Sequence, residues 1–179
     1  MLVFVTGGAR SGKSSAALEA ARHCGRPVVF VATATVGDDE MAERIARHQD
    51  ERPADWVTVD APRALAAAIE AANPDACVLV DCLSLWVTNE LLADENLSIE
   101  QLDPMLDTII AVAADRPGPT IIVSNEVGSG IVPDNALSRS FRDLLGRANQ
   151  RVAAAADHAH LSVAGRLVEL GAASGTLRV

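Results

Sequence analysis

Short apolar segments alternate with longer segments of helical periodicity along this chain. The apolar runs do not alternate with polar residues, a pattern typical of strands that are covered on both faces of a parallel sheet. Turn-forming residues bound them, for example Asn73-Pro74-Asp75 before the third run. The pattern predicts β-strands at Leu2–Thr6, Val28–Ala32, Cys77–Val80, Thr120–Ser124 and Leu161–Ala164.

Between these runs, apolar residues recur at helical spacing, as Leu102, Leu106 and Ile109 do. Strands that alternate with helices predict an α/β fold with right-handed crossovers, in which a mostly parallel sheet carries helices on both faces. Ligands of such sheets bind beyond the carboxyl ends of the strands. The predicted helices are Ser14–His23, Asp39–Asp50, Arg63–Ala72, Leu83–Leu92, Ile99–Ala114 and Ser138–Ala156.

The first strand leads into a phosphate loop, since residues 7–14 match the pattern G-x-x-x-x-G-K-[ST] between a strand and a helix. Such a loop turns its backbone N–H groups inward around phosphate oxygens, and the helix that follows adds a partial positive charge. Lys13 would reach the outer phosphates, and the hydroxyl of Ser14 would bind Mg²⁺. The loop consists of Gly7, Gly8, Ala9, Arg10, Ser11, Gly12, Lys13 and Ser14.

At 179 residues we expect one domain, residues 1–179. Because only 3% of the residues are aromatic, its core should consist of Ala, Val, Leu and Ile.

The net charge limits the possible partners. The net charge of −9 argues against general binding of nucleic acid or anionic membranes. No apolar run approaches the roughly 18–20 residues that a membrane span needs.

Three widely spaced cysteines, Cys24, Cys77 and Cys82, lack the spacing of metal ligands. Cys77 and Cys82 flank or lie in an apolar strand, so we interpret these two as buried thiols. Because the first strand runs directly into the phosphate loop, no signal peptide is expected at the amino end. The thiols and the nucleotide site together predict a cytoplasmic protein.

A second nucleotide signal is the apolar run Val78-Leu79-Val80 that ends at Asp81. A strand that ends in an acid has the form of a Walker B strand, whose carboxylate belongs to the Mg²⁺ shell. Beside a phosphate loop, we interpret Asp81 as a metal-site residue rather than as an incidental acid at a strand end.

The segment around His48 has two interpretations. Acids at its start, bases at its end and pairs such as Glu40/Arg44 are typical of a surface helix with a half-buried histidine. Alternatively, His48 is a nucleophile, because a neutral imidazole attacks phosphorus well and nearby arginines such as Arg52 would stabilise phosphate oxygens. Spacing alone does not choose between them.

The glycine-rich segment Ser124–Asn135 follows the fourth predicted strand, where a second substrate would meet the phosphates, although an ordinary flexible loop has the same pattern. The helix behind it carries Arg139, Arg142, Arg147 and Arg151, which either face solvent or line the site for phosphate, and we expect most of them to face solvent. His23, His158 and His160 have no companion at metal-ligand spacing and are interpreted as structural or exposed.

Taken together, the motifs resemble one family, the bifunctional adenosylcobinamide kinase/adenosylcobinamide-phosphate guanylyltransferases of cobalamin biosynthesis. The resemblance extends from residue 2 to about residue 165. The segments with the greatest specificity are His48-x-x-x-Arg52-Pro53-x-x-Trp56 and Asn125-Glu126-Val127-Gly128-x-Gly130-Ile131-Val132-Pro133. Further matching segments are Val5–Ser14, Val31-Ala32-Thr33-Ala34, Asp39-Glu40-Met41 with Arg44-Ile45, Val80-Asp81-Cys82-Leu83-Ser84 with Trp86-Val87-Thr88-Asn89, and Phe141-Arg142-Asp143 with Gly146-Arg147-x-Asn149-Gln150.

This resemblance implies a RecA-like P-loop NTPase fold and two reactions. ATP or GTP phosphorylates adenosylcobinamide, and GMP from GTP is then transferred to adenosylcobinamide phosphate through a phosphoramidate on His48. It also implies a homo-oligomer, typically a trimer, and Asp81 matches the family's acidic position at a strand end. Asp60 and Asp81 stand where relatives often carry Glu. Implied nucleotide contacts besides the phosphate loop are Thr33, Ala34, Thr35, Gln49, Asp50, Glu51, Arg52, Asp60 and Asp81.

Two other functions fit the residues taken alone. A plain small-molecule P-loop kinase would need the phosphate loop but not His48. A nucleotide-switch protein would use the loop after the fourth strand to signal by conformation and would turn over little.

Overall fold

The computed structural model describes residues 1–35 and 52–171 of the chain. Its strands are β1 (Leu2–Gly7), β2 (Val28–Ala32), β3 (Val57–Asp60), β4 (Cys77–Asp81), β5 (Thr120–Asn125), β6 (His158–Val163) and β7 (Arg166–Leu170). They form one sheet in the order β3-β2-β4-β5-β1-β6-β7. Neighbouring strands are parallel except for β6 and β7, which form an antiparallel hairpin.

Helices cover both faces of this sheet. They are α1 (Lys13–His23), α2 (Leu65–Ala71), α3 (Leu83–Ala93), α4 (Ile99–Asp115) and α5 (Ala136–Ala155). On one face, α1 packs on β1, β4 and β5; on the other, α2, α3 and α5 contact the sheet, and α4 packs on α2 and α5. None of the helices in the described ranges is long and apolar enough to cross a bilayer.

Local signals begin two of these helices. The side chain of Asn135 accepts a hydrogen bond from the backbone N–H of Ser138 at the start of α5. At the start of α4, Ser98 and Gln101 form a reciprocal capping box. Each cap satisfies backbone N–H groups that have no partner within the helix.

The predicted fold class is confirmed, and each of the five predicted strands is present. Two strands were not predicted, because β3 and β7 lie at the two edges of the sheet and are mostly exposed. An edge strand lacks the continuous apolar run of a strand with neighbours on both sides. β6 also begins at His158 instead of Leu161, since His158 and His160 interrupt its apolar pattern. The predicted helix Asp39–Asp50 lies outside the described residues.

The core consists mostly of Ala, Val, Leu and Ile, as expected, but the expectation that these residues alone build it was wrong. Phe4, Phe30 and Trp86 are also buried, and Trp86 is among the largest side chains that lie wholly inside. The indole Nε1 of Trp86 donates to the carbonyl of Arg63 at 2.9 Å, which satisfies its polar atom inside the core.

A buried arginine organises the amino end of the sheet. The guanidinium of Arg116, which follows α4, lies against the carboxyl end of α2 and the turn into β4, and burial lowers its pKa. It donates four hydrogen bonds of 2.8–3.1 Å to carbonyls at the end of α2 and in the turn, and two of these carbonyls also accept a backbone N–H. These carbonyls belong to Ile69, Ala72, Asn73 and Ala76.

The arginines of α5 differ from their predicted role in one respect. Arg147 donates to both carboxylate oxygens of Asp103 on α4, with an Nε–Oδ1 distance of 2.9 Å, and Arg151 pairs with Asp103 and Asp107. These two arginines therefore join α5 to α4 rather than simply facing solvent. Arg139 donates to the carbonyls of Pro133 and Asp134, which lie just before its own helix.

Candidate active site

Parallel pairing brings the carboxyl ends of six strands to one edge, which we call the carboxyl edge. In the pairing register, Ala32 of β2 lies between Asp60 of β3 and Asp81 of β4. Gly7 of β1 lies between Asn125 of β5 and Ser162 of β6. Because registered neighbours of a parallel sheet point to the same face, Asp60 and Asp81 share the face on which α1 lies.

The phosphate loop connects β1 to α1 at this edge. Gly12, the residue that precedes α1, has φ of 95°, a left-handed conformation that glycine adopts without steric cost. Lys13 is largely buried, and its Nζ donates to the carbonyl of Gly8 at 3.1 Å, across the loop. The loop therefore places an ammonium group beside the amino end of a helix, an arrangement that favours anions.

The start of the next loop is also tied to the phosphate loop. The backbone N–H of Glu126, just after β5, donates to the carbonyl of Gly7 at 3.0 Å. Two hydroxyls near this junction, those of Thr6 and Ser11, are buried and have no hydrogen-bond partner within the part of the chain that the structure describes. Such groups at an edge that binds ligands offer donors to a bound molecule or to water.

Thr33 follows β2, and its hydroxyl is fully used inside the protein. It donates to the carbonyl of Cys82 at 2.7 Å and accepts from the N–H of Cys82 at 2.8 Å. The side chain of Asn89 on α3 donates to the carbonyls of Thr33 and Pro62, both at 2.8 Å. Asn89 thus holds together the segments that follow β2 and β3. The first leads to Ala34 and Thr35, and the second begins directly after Asp60.

Arg52 lies on the same face as the two acids. Its guanidinium carbon is 3.5 Å from the centroid of the Phe30 ring, a stacked cation–π geometry. Burial lowers the pKa of Arg52, and the charges of Asp81 and Asp60 partly oppose that effect. Its Nη1 makes a long 3.3 Å hydrogen bond to the hydroxyl of Thr58. A positive charge is thus held near two carboxylates at the carboxyl edge.

A chain of polar side chains connects the ends of β4 and β5. The Asn125 amide donates to the hydroxyl of Ser84 at 2.9 Å, and the thiol of Cys82 lies 2.8 Å from the same hydroxyl. On the other side, Asn149 of α5 accepts from the hydroxyl of Ser124 at 2.6 Å and donates to the Asn125 carbonyl at 2.8 Å. The glycine-rich loop predicted from the residues begins at Ser124, but that reasoning did not link Ser84 or Asn149 to it, since no local motif connects these positions.

The thiols have the predicted structural character. Cys77 and Cys82 are buried and all three cysteines are free thiols, although Cys24 is only partly buried. Burial raises the pKa of Cys82 to about 11 and that of Cys77 to about 12. Both groups are therefore thiols, and not thiolate nucleophiles, at neutral pH.

The predicted site residues form two groups: some lie at the carboxyl edge, and the others lie outside the described residues. The structure brings the phosphate loop, Arg52, Asp60 and Asp81 to one edge. The glycine-rich loop after β5 is highly exposed, with 96% of Ile131 accessible to solvent. His48, Gln49, Asp50 and Glu51 lie outside the described residues.

Comparison with known proteins identifies the family. The profile of the family described as Cobinamide kinase / cobinamide phosphate guanyltransferase matches residues 3–170. The bifunctional adenosylcobalamin biosynthesis protein CobU of Salmonella typhimurium is 44% identical over 176 residues, which cover 92% of this chain and 97% of that protein. The corresponding protein CobP of Pseudomonas aeruginosa is 43% identical over 163 residues, which cover 90% and 92% of the two chains.

Solved structures support the fold class independently. The RadB recombinase superposes with a TM-score of 0.51 at 18% identity, covering 89% of this chain and 73% of its own. An ATPase of a bacterial type III secretion system gives 0.51 at 13% identity, with 89% and 51% covered. These distant likenesses concern the fold alone. The sequence matches, which extend over nearly the whole chain, show that it belongs to the cobinamide kinase/cobinamide-phosphate guanylyltransferase family of adenosylcobalamin biosynthesis.

Proposed function

We propose that this chain phosphorylates the aminopropanol hydroxyl of adenosylcobinamide with ATP or GTP. It then transfers GMP from GTP to the new phosphate, giving adenosylcobinamide-GDP and pyrophosphate. Both reactions use a nucleoside triphosphate whose phosphates lie in the loop Gly7–Ser14. Lys13 neutralises charge on the outer phosphates, and Thr33, Ala34, Thr35, Arg52, Asp60 and Asp81, with Gln49, Asp50 and Glu51, contribute to the nucleotide site.

The observation that carries this proposal is the convergence at the carboxyl edge. The left-handed Gly12, the amino end of α1 and the ammonium of Lys13 lie where β1 ends. Arg52 adds a positive charge near Asp60 and Asp81 on the same face. Anion-binding groups combined with two acids fit a triphosphate and a cation better than they fit a neutral ligand.

His48 acts as the nucleophile in guanylyl transfer. A lone pair on one ring nitrogen attacks the α-phosphorus of GTP, forming a P–N bond as the bond to the bridging oxygen breaks and pyrophosphate leaves. A phosphate oxygen of adenosylcobinamide phosphate then attacks the same phosphorus, and the P–N bond breaks to restore the imidazole. Two displacements at one phosphorus predict overall retention of its configuration.

Ser14 and Asp81 are the residues that would hold Mg²⁺. A hydroxyl and a carboxylate are the hard oxygen donors that this ion prefers, and it is commonly bound through one or two side chains together with substrate phosphates. No three His, Cys, Asp or Glu side chains within residues 1–35 and 52–171 converge into a metal site made by protein alone. That arrangement fits an ion that arrives with the nucleotide and, when bound, neutralises charge on its phosphates.

We also propose that the chain assembles as a homo-oligomer, a trimer by its family resemblance. Three apolar residues of the edge strand β7, Leu167, Val168 and Leu170, are between 41% and 55% exposed. An apolar edge strand is a ready surface for a second copy of the chain. Light scattering should give three times the mass of the chain, and a monomeric mass would contradict this assignment.

The experiment that tests the function incubates the protein with α-labelled GTP and then measures label bound to protein. We expect acid-labile, alkali-stable label that moves to adenosylcobinamide phosphate when this substrate is added. The His48→Ala variant should take up no label yet retain kinase activity, and His23→Ala, which changes an exposed histidine on α1, should behave as the wild type.

Two results would contradict the proposal. Persistence of GMP transfer in His48→Ala would remove this histidine from the reaction, and absence of label from the wild type would favour a plain P-loop kinase. Lys13→Ala should lose both reactions by roughly a hundredfold or more, because it removes a positive charge from the transferring phosphates. Full activity of that variant would remove the phosphate loop from the mechanism.

A further inference from the structure

The turn between β6 and β7 touches the phosphate loop across a long separation in sequence. The hydroxyl of Ser162 donates to the carbonyl of Ser11 at 2.9 Å, and the backbone N–H of Gly165 donates to the same carbonyl at 2.8 Å. Ser162 is only 1% exposed, so its hydrogen bond is shielded from water. One loop carbonyl therefore accepts two hydrogen bonds from a single hairpin.

Steric contacts reinforce this attachment at both ends of the loop. A Cβ atom added to Gly7 would lie 2.4 Å from the carbonyl oxygen of Ser162, and one added to Gly12 would lie 3.0 Å from the Cα of Gly165. Both loop glycines are thus packed against hairpin backbone. Their lack of a side chain serves the approach of the hairpin as well as the conformation of the loop.

The hairpin reaches the loop because its turn has two residues. Ala164 and Gly165 have φ of 50° and 76°, and Val163 pairs with Arg166 directly across the turn. Positive φ at both central positions is the signature of a tight type I′ hairpin, which directs the Gly165 N–H outward from the turn. A longer turn would move this N–H away from Ser11.

We propose that the β6–β7 turn braces the phosphate loop, and that Ser162 and Gly165 are positioning residues for nucleotide binding. In a trans peptide the C=O and the following N–H point in opposite directions. Anchoring the Ser11 carbonyl on the hairpin therefore directs the Gly12 N–H away from it, into the loop. The proposal rests on the proposed binding of nucleotide phosphates at Gly7–Ser14.

The test compares two variants that each remove a buried hydroxyl. Ser162→Ala removes the hydroxyl that contacts the loop. Thr120→Val removes a fully buried hydroxyl that donates to the carbonyl of Ala113 at 3.3 Å, at the opposite end of the sheet. Nucleotide affinity is measured by calorimetry with non-hydrolysable analogues of GTP and ATP, and thermal stability is measured without ligand.

We expect Ser162→Ala to raise the dissociation constants of both analogues about tenfold, since the loop contacts phosphates and not the base. Thr120→Val should change them by less than about twofold, although both variants lower the melting temperature. In steady-state assays of Ser162→Ala, KM for the nucleotide should rise by a larger factor than kcat falls. Dissociation constants within about twofold of the wild type for Ser162→Ala would overturn the proposal.

Two further variants keep the result decisive. If Ser162→Ala does not fold, a single glycine inserted between Ala164 and Gly165 lengthens an exposed turn and displaces the Gly165 N–H. We expect weaker nucleotide binding by this folded variant, and unchanged binding would overturn the proposal. Lys13→Ala distinguishes a failure of the brace proposal from a failure of the proposed function. If Lys13→Ala binds nucleotide as the wild type does, the nucleotide does not occupy the phosphate loop at all.

Discussion

Two arginines at opposite ends of the sheet differ in their contacts, one serving the fold and the other lying at the candidate site. Arg116 and Arg52 each precede a proline, and burial lowers the pKa of both. Arg116 donates four hydrogen bonds to backbone carbonyls at the amino end. Arg52 stacks on Phe30 at the carboxyl edge and makes one long hydrogen bond to Thr58.

The difference lies in what each guanidinium contacts. Arg116 is surrounded by neutral carbonyls, and its hydrogen bonds hold helix α2 and the turn before β4 in place. Arg52 is held by an aromatic ring and by the charges of Asp60 and Asp81. Among residues 1–35 and 52–171 its Nε has no hydrogen-bond partner, so this donor suits a phosphate or a base. Removal of Arg116 should therefore affect folding, and removal of Arg52 should affect binding.

Arg116→Met is expected to have the largest effect on stability. It removes four hydrogen bonds to carbonyls at the amino end and should lower the free energy of unfolding by about 3 kcal/mol. Urea denaturation measures this loss, and nucleotide affinity of the folded protein should be unchanged. The control is Arg26→Met, an exposed arginine that donates to the Asp75 carbonyl at 2.9 Å in the same region. Equal losses in the two variants would contradict the role of Arg116.

Arg52→Ala is expected to show the opposite pattern. Loss of a positive charge near the phosphates should weaken triphosphate binding about tenfold, while the free energy of unfolding changes by less than about 1 kcal/mol. Calorimetry and urea denaturation measure the two quantities, with Arg22→Ala on the exposed side of α1 as the control. If Arg52→Ala lowers stability as much as Arg116→Met and leaves affinity unchanged, the contrast between the two ends is wrong.

The turn at the carboxyl edge offers a gain in stability. Ala164 has φ of 50°, a conformation that costs energy for alanine and that asparagine adopts more readily. Ala164→Asn should therefore raise the free energy of unfolding by about 0.5 kcal/mol without altering the hairpin. Ala164→Val should lower it, because a β-branched residue tolerates positive φ poorly. A higher melting temperature for the valine variant would contradict this explanation.

The smallest expected effect is a change in how stability depends on pH, caused by the ion pair between Asp103 of α4 and Arg147 of α5. The hydrogen bond from Arg147 holds the pKa of Asp103 below its usual value. A carboxylate whose pKa is lowered by folding contributes stability above its unfolded pKa of about 3.9, and this stability is lost as pH falls below that value. In Asp103→Asn, the urea midpoint should therefore fall less steeply between about pH 5 and pH 2. An unchanged slope would show that the pair contributes nothing.

Much of the fold could be predicted because its signals are local. The central strands are continuous apolar runs, and the phosphate loop has glycines and a lysine at fixed spacing. The edge strands β3 and β7 escaped prediction, since an edge strand buries little surface and its pattern resembles an exposed segment. Arg52 was predicted to stabilise phosphate oxygens from its position near His48, and the family resemblance also assigned it to the nucleotide site. Nothing in the residues near Arg116 distinguishes a buried arginine that binds backbone carbonyls from a charge in a connecting segment.

The sequence alone determined the α/β class, the phosphate loop and the chemistry of the residues around it, because backbone preferences and hydrophobic periodicity act over a few neighbouring positions. Only the tertiary structure decided that Arg116 supports the fold from the interior and that Arg52 stacks on Phe30 at the carboxyl edge. It also decided that the turn at Gly165 holds the carbonyl of Ser11. Such partners are far apart in the chain, and only the pairing of strands brings their atoms within hydrogen-bonding distance.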